Sequence, residues 1–112
     1  MVTCFLKYLI NPNKIKEFEH YGKLWIDLVN KMGGAHHGYL IPHEGPNNIG
    51  YASFSFPSLA TYENYRNKIA DCPKCQEALE YSKKTGCILS FERNFFKPVF
   101  EGFEDKAKLT ID

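Results

Sequence analysis

Motifs that mark several common enzyme classes are missing from this sequence. It contains no GxSxG, no GxxxxGK[ST], no GxGxxG after an apolar run and no HExxH. The glycine-rich motifs place backbone N–H groups around phosphates, and the other two position a serine nucleophile or a catalytic zinc. Their absence removes the usual support for serine hydrolase, nucleotide-binding and metalloprotease functions.

Excess charge of one sign and long apolar runs are also lacking. The formal net charge is +1, and basic and acidic residues are mixed along the chain, so no basic stripe is present to bind a phosphate backbone. No apolar run approaches the roughly 20 residues of a membrane-spanning helix. The residues that follow Met1 do not form a secretion signal. We therefore expect a cytoplasmic protein with neither a nucleic acid nor a membrane as partner.

The chain contains four cysteines, and nothing in its composition calls for disulfides. The chain has 112 residues, of which 44% are hydrophobic and 15% aromatic. A single domain of this size buries roughly two-thirds of its unfolded surface and is stable without covalent links. We predict that all four cysteines are reduced thiols, and that Cys4 and Cys87 are small core residues.

Apolar patterns divide the chain into four strands and two helical regions. The strands are predicted at residues 2–10, 35–41, 49–56 and 87–96. The first helix is predicted to follow Asn11, as N-cap, and Pro12, and to end at Gly33. The second helical region begins at the N-cap Ser58 and is split at Pro73. This β-α-β-β-α-β order predicts an α+β, ferredoxin-like antiparallel sheet with the helices on one face.

The sheet face turned away from the helices is also predicted to be apolar. In the first strand, both faces carry apolar residues, with Leu6 and Tyr8 on one face and Phe5 and Leu9 on the other. A bare apolar face needs a cover, and a second copy of the chain can supply it. We therefore predict a homodimer built from one domain, residues 1–99, with residues 100–112 as a tail that is flexible or packed on the partner subunit.

Three stretches of the chain resemble the NIPSNAP family in order and spacing. They are GGAHHGYLIPHEG, YASFSFPSLATYENYR and CILSFERNFFKPV, and the resemblance covers roughly residues 2–99. It implies a homodimeric α/β barrel in which two ferredoxin-like sheets face each other. Related barrels include cofactor-free monooxygenases and heme-binding proteins, but a shared fold does not assign a reaction.

Titratable side chains are concentrated in the second strand. His36 and His37 are neighbours, so in a regular strand they point to opposite faces and at most one reaches a pocket. Tyr39 then shares a face with His37, and a His–Tyr pair can polarise a carbonyl or move a proton. The alternative is that one histidine is a hydrogen-bonded core residue and the other packs at the dimer interface.

The last strand places Glu92 and Arg93 on opposite faces among aromatic residues. Arg93 can bind a ligand carboxylate or phosphate through two hydrogen bonds, or it can pair with an acidic residue across the subunit interface. Aromatic residues on the first helix and third strand can form the wall of a pocket, although such stripes are usually plain core. The catalytic candidates are His37, Tyr39 and Arg93, and the ligand-binding candidates are Trp25, His36, Tyr51, Phe54 and Glu92.

Metal and redox sites receive little support from the spacing of their candidate residues. His43 and Glu44 follow the second strand, but with its histidines they do not form a known zinc-ligand pattern. The CxxC of Cys72 and Cys75 lies between two helices, whereas a thioredoxin-like CxxC follows a strand of a βαβ unit. It is more typical of a helix-opening turn, and we predict no metal and no cofactor.

Three functions remain open at this point. We expect a homodimer that binds a small apolar or aromatic metabolite between its helices and sheet, and that either only binds it or converts it without a cofactor. The first alternative is a non-enzymatic interaction module that acts through its dimer surface and tail. The second is heme or metal binding through a strand histidine.

Overall fold

The computed structural model describes residues 1–99, and the predicted tail lies outside the described residues. The elements are β1 (Val2–Ile10), α1 (Ile15–Lys31), β2 (Ala35–Leu40), β3 (Ile49–Phe56), α2 (Leu59–Ile69), α3 (Pro73–Thr85) and β4 (Ile88–Phe96). The predicted order, including the split second helical region, is confirmed. None of these helices has the length and apolar character required to cross a bilayer.

The four strands form one antiparallel sheet in the order β2-β3-β1-β4. β1 lies in the middle, and its Leu6 is paired with Ala52 of β3 on one side and with Arg93 of β4 on the other. Residues paired in this way point to the same face of a sheet. The predicted α+β, ferredoxin-like fold is confirmed.

All three helices pack on one face of the sheet, which we call the inner face. Alternation along β1 sends Cys4, Leu6, Tyr8 and Ile10 to this face, where none is more than 5% exposed. The helices contribute residues spaced three or four apart, so each helix buries one side against the sheet. The main core therefore lies between the inner face and the helices.

The opposite side of the sheet, which we call the outer face, carries the other half of each alternation. Phe5 lies here, and its ring centroid is 5.7 Å from that of Tyr51 and 6.2 Å from that of Phe96. Phe5 and Leu9 are 39% and 40% exposed. The prediction that this face is also apolar is confirmed, while dimerisation stays a prediction.

The start of α1 differs from the prediction, whereas the start of α2 agrees with it. Asn11 and Pro12 were expected to open α1, but the Asn11 side-chain oxygen instead accepts a hydrogen bond from Asn13 N at 3.0 Å. This local turn uses the capping group, and the helix begins only at Ile15. The Ser58 N-cap of α2 is confirmed.

The cysteines show one correction. A disulfide joins Cys72 and Cys75, so the prediction of four reduced thiols is wrong for this pair. Because α3 starts between them, their Cα atoms lie 5.2 Å apart, which is within the range that a disulfide spans. The predicted helix-opening turn is nevertheless confirmed, since Cys72 is the N-cap of α3. Cys4 and Cys87 are free and buried, as predicted.

Candidate functional site

A cavity of about 560 Å³ lies between the inner face and the helices. Every element of the fold contributes to its wall, and eight of the lining residues are aromatic. Five of these eight are tyrosines, and the remaining three are Trp25, Phe54 and Phe91. Its size and its largely apolar wall are typical of pockets that bind small molecules.

Three basic side chains line the same cavity, and no Asp or Glu does. They are Arg66 from α2, Lys83 from α3 and Arg93 from β4. Arg93 faces inwards because it is paired with Leu6, and its guanidinium carbon lies 5.2 Å from the centre of the Phe91 ring. In the described part of the chain, ion pairs form only along α1, so none of the three cations is neutralised by a carboxylate.

A β-bulge in β2 overturns the predicted pairing of His37 with Tyr39. The register shifts between His36 and Gly38, and Gly38 has a φ of 105°, a backbone angle that other residues rarely adopt. The extra residue puts His36 on the side of Tyr39, where the two rings stack with centroids 5.1 Å apart. His37 points to the outer face, where its Nε2 lies 2.7 Å from Ser55 Oγ.

His36 supports the cavity from behind its wall. Its ring packs on Tyr39 and Phe54, which both line the cavity. Its Nδ1 accepts a hydrogen bond from Gly38 N, so the neutral ring carries its proton on Nε2. Nε2 is buried and has no hydrogen-bond partner among residues 1–99. Burial, with the nearby His37 as a second cause, lowers the pKa of His36 to about 4, so the ring is uncharged at neutral pH.

The tyrosines of the cavity are hydrogen-bond donors and not bases at neutral pH. Burial is the largest cause that raises the pKa of Tyr39 well above its ordinary value, and Tyr8 and Tyr21 add to the effect. Burial likewise raises the pKa of Tyr21 to about 12. The indole Nε1 of Trp25 is a further buried donor, with no hydrogen-bond partner among residues 1–99. The cavity wall therefore contributes tyrosine O–H groups as donors for an acceptor oxygen.

A second polar group lies on the outer face and does not reach the cavity. Ser55 Oγ is 2.7 Å from His37 Nε2 and 2.8 Å from Thr3 Oγ1. A Ser–His contact of this length can serve nucleophilic catalysis. Here Ser55 is only 1% exposed and is held from two sides, so we interpret the group as a link between β1, β2 and β3.

The cavity brings together four of the sequence-predicted site residues and leaves out the other four. Trp25, Tyr39, Phe54 and Arg93 line it. Three of the predicted residues, His37, Tyr51 and Glu92, instead belong to the outer face, and His36 lies behind the wall. The predicted grouping of His37 and Tyr51 with Arg93 is therefore wrong. The bulge in β2 turns His37 to the outer face. For Tyr51, alternation within β3 did not show which of its faces matches the inner face of β4.

Sequence reasoning missed the two basic residues that the helices add, Arg66 and Lys83. Both are exposed residues on helices of low apolar content, so they resemble ordinary surface charges. Only the packing of α2 and α3 over the sheet shows that they line the same cavity as Arg93. Among residues 1–99, no group of three His, Cys, Asp or Glu side chains is arranged to hold a metal ion.

The sequence model of the NIPSNAP family matches residues 4–100. The chain belongs to the NIPSNAP family. Searching the curated proteins gives no match. Among solved structures, a NIPSNAP family protein of unknown function from Agrobacterium tumefaciens is 20% identical with a TM-score of 0.76, and the match covers 90% of each chain. An uncharacterised NIPSNAP-like domain protein from Burkholderia xenovorans is 19% identical with a TM-score of 0.72, over 89% of this chain and 86% of that one.

This NIPSNAP chain also shares its fold with a protein outside the family. A proposed antibiotic biosynthesis monooxygenase from Nitrosomonas europaea is similar to it with a TM-score of 0.68 and 4% identity, over 89% of this chain and all of that one. At such identities the likeness shows the fold alone. The function of the cavity must therefore be argued from its own residues.

Proposed function

We propose that this NIPSNAP protein binds a small apolar or aromatic metabolite in the cavity between its helices and sheet. The observation that carries the proposal is the cavity itself, about 560 Å³ in volume and lined by eight aromatic residues. Protein interiors are normally packed to the density of organic crystals, so the packing of an ordinary core does not leave a space of this size. Aromatic rings around it favour an occupant with an apolar or aromatic body.

The proposal includes a homodimer in which two outer faces cover each other. Phe5, Leu9 and Phe96 form a partly exposed apolar strip across β1 and β4 on this face. A second copy buries the same strip on both subunits, as two-fold symmetry requires. The cavity lies on the other side of the sheet, so dimerisation leaves it available for the ligand.

The proposal also includes conversion of the bound metabolite without a cofactor. Tyr39 and Arg93 provide an O–H donor and a cation within one cavity. Donors placed in this way stabilise negative charge that develops on an oxygen atom during reaction, as in an enolate or phenolate. Neither side chain is suited to act as a base at neutral pH, so their role is electrostatic.

Native mass spectrometry of the purified protein tests the proposal, followed by mass analysis of whatever denaturation releases. The expected species is a dimer that carries one small molecule per subunit. Leu79→Trp adds bulk to the cavity wall and should abolish binding. Glu80→Trp is the matched control, because the adjacent Glu80 is exposed and does not line the cavity.

Other outcomes contradict separate parts of the proposal. A ligand that is retained equally by Leu79→Trp and Glu80→Trp does not occupy the cavity. A dimer that stays empty, even after incubation with a panel of aromatic metabolites, argues against ligand binding and favours an interaction module. A monomer contradicts the proposed pairing of outer faces.

A further inference from the structure

We infer that the ligand of the cavity is an amphipathic anion, in which a carboxylate, sulfonate or phosphate group is attached to the apolar body. This inference rests on the proposed function, because it specifies the chemistry of the molecule that the cavity holds. The juxtaposition of Arg66, Lys83 and Arg93 at one apolar cavity carries it.

The charge of the cavity wall departs from that of the whole chain. The chain has 14 Lys and Arg residues and 13 Asp and Glu residues, so the two signs are nearly balanced. The cavity is lined by three basic residues and no acidic ones. The local excess of positive charge produces a potential that attracts an anion.

Two of the three cations act on the same part of the cavity. Burial raises the pKa of Tyr62, and the positive charges of Arg93 and then Arg66 counter that rise. Since Arg66 belongs to α2 and Arg93 to β4, two different elements bring positive charge to this part of the wall. An anion bound there is attracted by both charges, and a guanidinium can hold an anionic group through two parallel hydrogen bonds.

The three cations belong to exposed residues of the cavity wall, whereas several of its aromatic residues are buried. Arg66, Lys83 and Arg93 are all exposed residues, whereas Tyr8 and Trp25 are only 5% and 6% exposed. An amphipathic anion matches this gradient, because its apolar body enters the aromatic interior and its charged group stays near water. The anion is then only partly desolvated, which keeps the cost of binding the charge low.

A matched pair of fluorescent probes tests the anionic group with the full chain. 8-Anilinonaphthalene-1-sulfonate and N-phenyl-1-naphthylamine share one aromatic body and differ by the sulfonate. Titrations of both probes into the protein at low salt report binding through the rise in fluorescence. We expect Arg93→Gln to weaken binding of the sulfonate probe at least about tenfold, the usual effect of losing a charge-assisted hydrogen bond. The neutral probe should change by less than about twofold.

Neighbouring residues on the helices provide matched controls. Lys83 lines the cavity and the adjacent Lys84 does not. Lys83→Gln should weaken binding of the sulfonate probe about two- to fivefold, and added salt should suppress this loss. Lys84→Gln should leave the binding of both probes unchanged. Because Lys83 is an exposed helical residue, this pair remains informative if Arg93→Gln does not fold.

The outcomes separate this inference from the function on which it rests. One outcome is that both probes bind the wild-type protein and that Leu79→Trp abolishes the binding of both. If Arg93→Gln or Lys83→Gln then weakens the binding of the two probes equally, the cavity binds ligands but does not select anions. That result overturns the inference and leaves the proposed function standing. If neither probe binds the wild-type protein, or if Leu79→Trp displaces neither, both the proposed function and the inference are overturned.

Discussion

The inner and outer faces of this sheet are made from the same strands, yet they differ in what covers them. On β1, Leu6 of the inner face is 4% exposed, and Phe5 of the outer face is 39% exposed. Three helices cover the inner face, and none of the helices in the described part of the chain covers the outer face. The alternation of apolar residues therefore predicts that both faces of the sheet are apolar. Only the tertiary packing shows which of them the helices cover.

The two faces also differ in how they treat charge. On the outer face, Lys7 of β1 is paired with Glu92 of β4, so opposite charges stand side by side. On the inner face, the next residue of β4 is Arg93, which is paired with the apolar Leu6 and shares the cavity with two further cations. Opposite charges are therefore paired on the outer face, whereas the cavity on the inner face is lined by basic residues alone. This difference places ligand chemistry on the inner face.

Removing an aromatic ring from each face tests the comparison most strongly. Phe56→Ala should lower the free energy of unfolding by about 3–5 kcal/mol, because Phe56 is 1% exposed and its truncation leaves a void among tightly packed rings. Phe5→Ala, the same chemical change on the outer face, should cost much less in dilute protein and should instead weaken the dimer. Urea unfolding and light scattering measure the two effects. Equal losses of stability at both sites would contradict the distinction between the faces.

Titration of His36 provides the next largest effect. Burial lowers its pKa to about 4 from the 6.5 of an unperturbed histidine. Between these two pH values, the unfolded chain binds a proton at His36 and the folded chain does not. His36 therefore does not reduce the free energy of unfolding above pH 6.5, and it reduces this free energy increasingly as the pH decreases towards 4. This side chain accounts for about 2–3 kcal/mol of that fall. Denaturant unfolding at a series of pH values measures it.

A substitution that cannot titrate isolates the contribution of His36. His36→Asn keeps an oxygen that can accept the hydrogen bond from Gly38 N, and it should flatten the pH profile between 6.5 and 4 while lowering stability at pH 7. His43→Asn makes the same change at an exposed residue and serves as the control. If the His36→Asn protein keeps the full wild-type slope, the histidine does not cause the acid sensitivity.

The smallest expected effect concerns the β-bulge in β2, which places His36 beside Tyr39 and His37 on the outer face. Gly38→Ala places a Cβ on a residue with a φ of 105°, which should cost about 1–2 kcal/mol through backbone strain. The stacking of His36 on Tyr39 should weaken as the bulge adjusts, and NMR shifts of the two rings report this change. Ser53→Ala, on the paired residue of β3, is the control. An unchanged stability and an unchanged stack would show that the bulge does not depend on glycine.

Much of the fold could be predicted because it depends on neighbours along the chain. Alternation identified the strands, the Ser58 cap marked the start of α2, and adjacent positions placed Glu92 and Arg93 on opposite faces. The α1 start and the Cys72–Cys75 disulfide were predicted wrongly, since each depends on how a short turn folds back on itself. Such turns have several solutions of similar energy, and the surrounding structure selects among them.

The sequence by itself determined the order of elements, the two apolar faces and the residues that alternate within each strand, because these follow from repeat lengths of 2 and 3.6 residues. Tertiary structure alone decided which strand faces match. It decided that the bulge at Gly38 moves His37 away from Tyr39, and that Arg66 and Lys83 line the same cavity as Arg93. Residues far apart in the chain come together only through strand register and helix packing. The candidate site is made of such long-range contacts, so it could be recognised only in the folded protein.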